Sequence, residues 1–459
     1  MSTTRKRPVL LVLLILIVTA CVAAFALMWR PVIEPIESAN ITPPDDAAML
    51  RGSQVAAAGM CVVCHTASDG PPNAGGHAMD TPFGTIFSTN ITPDPEHGIG
   101  KWSFEAFNRA MRSGIDREGR HLYPAFPYTA FTHMSNEDMQ ALYGYLMAQP
   151  PVAHEPPKTE LPFPFNMRPL MAGWNLLFLR KGDIAIEPDK SEQWNRGKYM
   201  AQALAHCSAC HSPRNALGAE KKGEHYFSGG DAEGWHAHAL NERSPAPVRW
   251  TEDALYAYLR TGYSQHHGPA GASMAPVVRE GTSKITEADT RALAVYVASY
   301  MDAGKEEDRQ AERIGQSDAQ TARPSDDKAA ALRSDAMATL RPPQSEGASL
   351  FNGACLACHN GGAGAPMFGT QPPLWLNSNL HADTPDNLIR FILDGVNSPA
   401  FPENGYMPAF RHSLDDRQVA ELVRYLRTDM AKLPAWSNVG ETVSQLRRAS
   451  DGASGSGER

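Results

Sequence analysis

The chain has 459 residues with a formal net charge of −8, and 42% of them are hydrophobic, so it is long enough to form two to four globular domains. This net negative charge gives no indication of nucleic-acid binding. The sequence also contains no glycine-rich dinucleotide fingerprint, phosphate-binding loop or nucleophile elbow. These absences exclude the common nucleotide-dependent and serine-hydrolase chemistries.

The N-terminus has the pattern of a membrane-targeting segment. The basic cluster Arg5–Arg7 precedes Val9–Trp29, a stretch of 21 residues without a charge. Such a stretch can cross the hydrocarbon core of a bilayer, about 30 Å thick, as a helix. The basic flank predicts that the N-terminus stays in the cytoplasm while the rest is translocated. Residues 1–30 are therefore predicted to form an anchor, with cleavage of a secretory signal or lipidation of Cys21 as alternatives.

Six of the seven cysteines lie in three copies of the motif C-x-x-C-H. Two thiols at this spacing can each bond a vinyl group of a c-type haem, and the adjacent imidazole can bind the iron. A zinc site would need further cysteine or histidine ligands, and a redox dithiol would not need a histidine after each pair. The sequence therefore predicts three covalently bound haem c groups. The predicted attachment cysteines are Cys61, Cys64, Cys207, Cys210, Cys355 and Cys358, and the predicted iron ligands are His65, His211 and His359.

Covalent haem also bears on where the protein is found. Attachment of haem c implies an exported chain, which in a bacterium lies on the outer side of the inner membrane. Together with the N-terminal segment, this predicts a protein held at the bacterial inner membrane with its bulk in the periplasm. Each of the three interpretations of residues 1–30 leads to this location.

The three motif histidines are almost evenly spaced along the chain, which indicates a repeated domain. Each repeat is predicted to end in a helix with apolar periodicity, and Ser135 and Thr286 are candidate capping residues. The predicted closing helices are Asn136–Met147, Glu287–Met301 and Asp415–Thr428.

A glycine precedes each motif by a similar number of residues. In small c-type cytochromes the first and last helices cross where a glycine meets an aromatic ring. The pairs predicted for this role are Gly52 with Tyr145, Gly197 with Tyr296, and Gly347 with Tyr425. The expected fold class is all-α, with three tandem class I cytochrome c domains behind an N-terminal transmembrane helix.

The composition between the motifs suggests two connectors and a tail. The first connector is rich in proline and contains the apolar stretch Leu170–Leu179, interpreted as a strap across the first two domains or as a segment against a membrane or partner. The second is dense in charged residues with few apolar anchors, which is typical of a linker. The predicted order is an anchor or signal segment (1–30), a first cytochrome c domain (45–150), a proline-rich connector (151–190), a second domain (191–302), a charged linker (303–345), a third domain (346–432) and a disordered tail (439–459).

Each haem iron needs a second axial ligand, and a methionine thioether raises the reduction potential and closes the site to outside ligands. In the second repeat, Met274 lies in Ala272–Pro276, a constrained loop before the closing helix. In the third, Met407 occupies the equivalent loop, Gly405–Phe410. Both are predicted to bind iron, the alternative being that they only fill a core.

The first repeat departs from this pattern. Its corresponding loop is Leu122–Tyr128, and the expected methionine position holds Phe126, which cannot bind iron. Met134 follows shortly before the closing helix and is the candidate ligand. His133 beside it and an open iron remain alternatives.

A group of four histidines is scattered in the later loops of the second repeat. They are interpreted as solvated surface residues, with a proton relay near a quinone as the alternative. No other group of residues indicates catalysis on an organic substrate, so no catalytic residue is predicted. The four are His236, His238, His266 and His267.

From about residue 45 to 435 the chain resembles the three-haem cytochrome c subunit of bacterial membrane-bound dehydrogenases. The resemblance is carried by Thr81–Ile86, by Ser88–Asp94 with Gly98–Gly100, and by Ala205–Asn215. Such subunits serve alcohol, gluconate, sorbitol and aldehyde dehydrogenases, and also molybdenum hydroxylases that act on aldehydes or on N-heterocycles such as nicotinate. Many subunits of the alcohol dehydrogenase type have methionine where this chain has Phe126. In this position the chain resembles the subunits that serve molybdenum hydroxylases.

This resemblance implies a function. The partner would be a catalytic subunit of the flavin, quinone or molybdenum type, and electrons would pass along the haems to ubiquinone or a terminal oxidase in the membrane. The chain itself would be an electron-transfer subunit and would not oxidise the organic substrate. Two alternatives are a redox enzyme acting on a small molecule at an open first haem, and a free-standing electron carrier.

Overall fold

The computed structural model describes residues 11–16, 18–19, 22, 28–37, 44–301, 345–359, 374–396, 400–402 and 405–454. Helices dominate this part of the chain, and its strands pair as three two-stranded hairpins. The all-α class predicted from the sequence is confirmed. Two compact units are present. The first runs to Glu187 and includes Tyr199–His206 and Ala216–Ala219, and the second comprises Pro188–Lys198, Cys207–Asn215 and the chain from Glu220 onward.

The first unit is built on three longer helices around a buried apolar core. Ser103 and Ser135 cap two of them, because each hydroxyl accepts the backbone N–H of the third residue that follows. A hairpin pairs Ala78 with Phe87 through to Thr81 with Gly84. The elements are α1 Asp46–Ala58, α2 Cys61–Cys64, β1 Ala78–Thr81, β2 Gly84–Phe87, α3 Phe104–Ser113, α4 Tyr128–Phe131, α5 Asn136–Met147, a 3-10 turn Arg168–Leu170 and α6 Met171–Phe178.

The second unit contains most of the second repeat and the third repeat. In the second repeat, Thr251 and Thr286 cap the two longer helices. The elements of the second repeat are α7 Glu192–Tyr199, a π-helical turn Met200–Leu204, α8 Ser208–His211, a 3-10 turn Gly223–His225, β3 Gly230–Ala232, β4 Trp235–Ala237, α9 Glu252–Thr261, β5 Tyr263–Ser264, β6 Gly268–Pro269, α10 Met274–Pro276, a π-helical turn Val277–Thr282 and α11 Glu287–Met301.

The third repeat is also helical. Asp415 and Gln418 form a reciprocal capping box at the start of its closing helix, which is followed by a π-helical turn. The elements are α12 Glu346–Ala354, a 3-10 turn Leu374–Leu376, α13 Ser378–His381, α14 Asp386–Asp394, α15 Asp416–Tyr425, a π-helical turn Leu426–Met430 and α16 Val439–Ser454.

The glycine–aromatic helix crossing occurs in all three repeats, as predicted. A Cβ atom built on Gly52 would lie 2.5 Å from Cβ of Tyr145, and one on Gly197 or Gly347 would lie 2.7 Å from Cβ of Tyr296 or Tyr425. Any larger residue would therefore separate the two helices, because real Cβ atoms do not approach so closely. The predicted closing helices Asn136–Met147 and Glu287–Met301 are confirmed to the residue.

The C-terminal segment corrects one prediction. Residues 439–459 were expected to be a disordered tail, but Val439–Ser454 is helix α16. Its residues Val439, Val443 and Leu446 are buried against α14 and α15, and Arg447 pairs with Asp416 at 2.6 Å. The spacing of these three apolar residues buries one helix face, which composition alone does not indicate.

The structure describes only part of the predicted membrane anchor and of the charged linker. Within the described residues, no helix is both long and apolar enough to cross a bilayer. Much of the predicted anchor, including Cys21, and nearly all of the linker 303–345 lie outside the described residues. The anchor therefore stays a prediction.

The proline-rich connector packs against the first repeat. Glu160 exchanges two backbone hydrogen bonds with Thr85, at 2.8 and 3.1 Å, and the Tyr128 hydroxyl donates to Asn175 at 2.7 Å. Phe163 and Leu176 of the same segment are 78% and 64% exposed. The connector is a strap on the first unit with apolar side chains on its outer surface.

Candidate haem centres

The first C-x-x-C-H motif lies on a short helical turn, α2, at the end of α1. Met60 leads into it with a left-handed backbone (φ 54°). Burial, and to a lesser extent the neighbouring Cys64, raise the pKa of the Cys61 thiol to about 12. Such a thiol stays protonated at neutral pH and is a poor reactive thiolate. An apolar surrounding of this kind suits attachment to a porphyrin.

The histidine of the first motif is held in one tautomer by the backbone. Nδ1 of His65 lies 2.6 Å from the carbonyl oxygen of Thr89, to which it can only donate. Burial lowers the pKa of His65, so the ring is neutral. Its Nε2 therefore carries a free lone pair, as an iron ligand requires.

The second motif repeats this arrangement with an acceptor from a different element. Nδ1 of His211 lies 2.7 Å from the carbonyl oxygen of His238, which directly follows β4. Burial again lowers the pKa of the imidazole, and burial together with Cys210 raises the pKa of the Cys207 thiol to about 12.

The third motif is placed similarly, with one difference. Burial and Cys358 raise the pKa of the Cys355 thiol to about 11, and Cys355 packs against the apolar core of α14 and α15. Nδ1 of His359 is buried and has no hydrogen-bond partner among the described residues. Residues 360–373, which follow the motif directly, are outside that part of the chain.

The two carbonyl acceptors were not predicted from the sequence. Thr89 lies in the stretch Ser88–Asp94 that carried the resemblance, but its role could not be read from the side chain because the backbone supplies the acceptor. A carbonyl partner on the outer nitrogen is a common way of orienting a metal-binding histidine. The donor sets, each with two partly accessible thiols beside an imidazole whose pKa is lowered by burial, fit covalent haem.

Comparison with known proteins adds the family. The family described as "Cytochrome c" matches residues 49–150, and "Cytochrome C oxidase, cbb3-type, subunit III" matches residues 342–426. The "Fructose dehydrogenase cytochrome subunit" of Gluconobacter japonicus is 33% identical over 86% of this chain and 82% of its own length. The "Gluconate 2-dehydrogenase cytochrome c subunit" of Pantoea cypripedii is 35% identical over 88% of this chain and 90% of its own.

The chain belongs to the cytochrome c subunits of membrane-bound dehydrogenases. It is an electron-transfer subunit that carries covalently bound haem c, and it is not the catalytic subunit. A nicotinate dehydrogenase subunit of Pseudomonas putida is 50% identical over 92% of this chain. The cytochrome spans only 34% of the length of that relative.

The predicted sixth ligands of the second and third repeats lie in constrained loops of the cytochrome. Met274 begins the short helix α10 and packs, half-buried, against a small apolar cluster that includes Ala275. Met407 exchanges two backbone hydrogen bonds with Val396, at 2.8 and 3.2 Å, and packs against the third-repeat core. Their binding to iron stays a prediction.

The first-repeat candidates are placed differently. Met134 is 1% exposed and sits in the core of the first unit. His133 is half-buried, and its Nδ1 contacts the carbonyl oxygen of Gly182. The ring of Phe126 packs 5.6 Å from that of Phe131 within an aromatic group. Phe126 thus fills the expected ligand position with apolar surface.

Two of the four additional histidines correct the sequence interpretation. His267 is buried, stacks 3.6 Å from the ring of Trp250 and contacts the Val248 carbonyl at 3.0 Å. His238 is half-buried, and burial lowers the pKa of both imidazoles to about 4. The prediction that both are solvated surface residues was wrong, because His267 is stacked on Trp250 and His238 is hydrogen-bonded to Asn379.

Proposed function

We propose that the cytochrome binds three haem c groups, one at each C-x-x-C-H motif, and that each repeat forms a class I cytochrome c domain. The observation that carries this proposal is the repeated arrangement of a thiol pair followed by a neutral imidazole, with Nδ1 of His65 and His211 held by carbonyl groups. When bound, haem supplies one-electron chemistry between ferric and ferrous iron. The chain orients the imidazoles of His65 and His211 through these carbonyl groups.

The proposed sixth ligands are Met274, Met407 and Met134. The first two follow from equivalent loop positions, and Met134 follows from its burial in the first unit together with the aromatic side chain at position 126. A thioether at each iron would close the site and suit a carrier, because electron transfer needs no open coordination position.

Location and electron acceptor are also proposals. The basic and apolar N-terminal sequence supports a cytochrome held at the bacterial inner membrane with its bulk in the periplasm. From there it would pass electrons to ubiquinone or to a terminal oxidase in the same membrane.

The proposed partner is a catalytic subunit of a molybdenum-type dehydrogenase that acts on an N-heterocyclic acid such as nicotinate. The basis is the 50% identity to a nicotinate dehydrogenase subunit, against 33% and 35% to the fructose and gluconate dehydrogenase subunits. Phe126 agrees with this assignment. Flavin- and quinone-type partners are the other outcomes.

Affinity capture of the tagged cytochrome from detergent-solubilised membranes tests this proposal. We expect a catalytic dehydrogenase subunit to co-purify with the cytochrome. Addition of nicotinate should then reduce the haem iron of the captured complex from ferric to ferrous, which is followed by its absorption spectrum. The isolated cytochrome serves as control and should not be reduced by nicotinate. Reduction by ethanol or gluconate alone would contradict the substrate class, and capture without any dehydrogenase subunit would contradict the partner.

A further inference from the structure

Two loops of the second repeat carry groups that bear on the proposed iron site at His211. The β3–β4 hairpin leads into His238, whose carbonyl orients the imidazole of His211, and the loop before α10 presents Met274. The two loops are joined, because the Ser273 hydroxyl donates to the Glu233 carboxylate at 2.7 Å. A displacement of either loop would therefore alter both sides of the site.

The third repeat holds the hairpin from outside. Asn387 of α14, which is buried, accepts the backbone N–H of His236 at 3.0 Å and donates to its carbonyl oxygen at 2.8 Å. Asn379 of α13 forms a second bond, 2.9 Å between its Oδ1 and Nε2 of His238. The rings of Trp235 and Phe391 also pack with centroids 4.9 Å apart.

The same part of the third repeat covers the methionine loop. A Cβ atom on Gly271 would lie 2.8 Å from the ring of Phe391, so ring and backbone are in direct contact. Ala400, which is fully buried, belongs to one apolar cluster with Ala275, and Met274 and Phe401 pack against that cluster.

These contacts from the third repeat replace water around the two loops of the second haem site. An amide that satisfies both polar groups of an edge-strand residue replaces water there, and its loss leaves those groups to be rehydrated. Phe391 and Ala400 replace water beside the methionine loop. Water near an iron favours the more highly charged ferric form, so a dry surrounding raises the reduction potential.

We propose that the third repeat completes the haem site of the second repeat and sets its reduction potential. Asn387 and Phe391 act as positioning residues: the first holds the hairpin that orients His211, and the second covers the loop that carries Met274. A structural change in the third repeat would therefore change the reduction potential of the haem in the second repeat. This inference rests on the proposed haem binding at His211.

Potentiometric titration of the full-length cytochrome tests the proposal, with Phe391→Ala and Asn387→Ala as variants. We expect one haem to shift to lower potential, so that its ratio of reduced to oxidised iron at a fixed potential falls by about tenfold, while the other haems keep their potentials. Met274→Ala identifies the responding haem, because it removes the methionine-to-iron absorption band of that site.

Thr384→Ala is the matched control, since Thr384 is exposed just before the same helix, and it should leave all potentials unchanged. Phe391→Leu keeps an apolar cover and should keep most of the native potential. Unchanged potentials in both alanine variants with full haem content would overturn the inference. Such a result would leave the proposed function intact, because haem content and reduction by the partner are measured separately.

Discussion

At the scale of single residues, the haem centres depend on backbone atoms as much as on side chains. The carbonyl groups of Thr89 and His238 select the tautomer of His65 and His211, although nothing in either acceptor's side chain is needed for this. The motifs and their histidines could be predicted from sequence, because their chemistry lies in residue type and spacing. Their acceptors could not, because a carbonyl group is present at every position.

The buried His267 predicts a pH dependence of stability. Its pKa is lowered by burial from an ordinary 6.5 to about 4. Between these values the unfolded chain binds a proton that the folded chain does not, so stability is lost as the pH falls from about 6.5 towards 4. The loss should reach up to about 3 kcal/mol, the equivalent of this shift in pKa.

Hydrogen exchange of the amides around His267, measured across this pH range, checks the prediction. In the native cytochrome, the protection of these amides against exchange should decrease as the pH is lowered. In His267→Gln, which has no titrating group at this position, the protection should decrease less steeply. Parallel pH profiles for the two proteins would show that His267 does not contribute.

At the scale of elements, the helix crossings are the most constrained feature. Gly347 and Gly353 lie on the same helix, α12, and differ in their surroundings. A Cβ atom on Gly347 would lie 2.3 Å from the carbonyl oxygen of Glu421, whereas one on Gly353 would meet nothing within 4 Å.

Alanine at these two glycines should therefore act in opposite directions. Gly347→Ala should destabilise the third repeat by about 2 kcal/mol or more, because the clash is with backbone. Gly353→Ala should be neutral or stabilise by up to about 1 kcal/mol through its better helix propensity. Denaturant titration of the two variants measures this difference, and equal stabilities would rule out a close crossing at Gly347.

The closing helices show what periodicity can predict. Asn136–Met147 and Glu287–Met301 follow from their apolar spacing and their capping residues. Helix α16 was missed because its sequence is mostly polar, and its order comes from tertiary contacts such as the burial of Val443 against the third-repeat core. Sequence composition does not reveal a partner surface that only the fold creates.

At the scale of the whole molecule, the three repeats are alike in sequence pattern but not in their structural relations. Most of the second repeat lies in one compact unit with the third, and the first repeat belongs to the other unit with the proline-rich strap. The buried amide of Asn387 on His236 joins two segments 151 residues apart. Contacts of this kind could not be predicted from the motifs, because each motif specifies only its own site.

The haem content of the full-length cytochrome tests the central claim most directly. The measurement combines the pyridine haemochrome assay with the intact mass of the purified chain. Native protein should carry three covalent haems, and the double variant Cys355→Ser/Cys358→Ser should carry two. A native chain with two haems or fewer, or a double variant that keeps the native haem content, would contradict the assignment of one haem to each C-x-x-C-H motif.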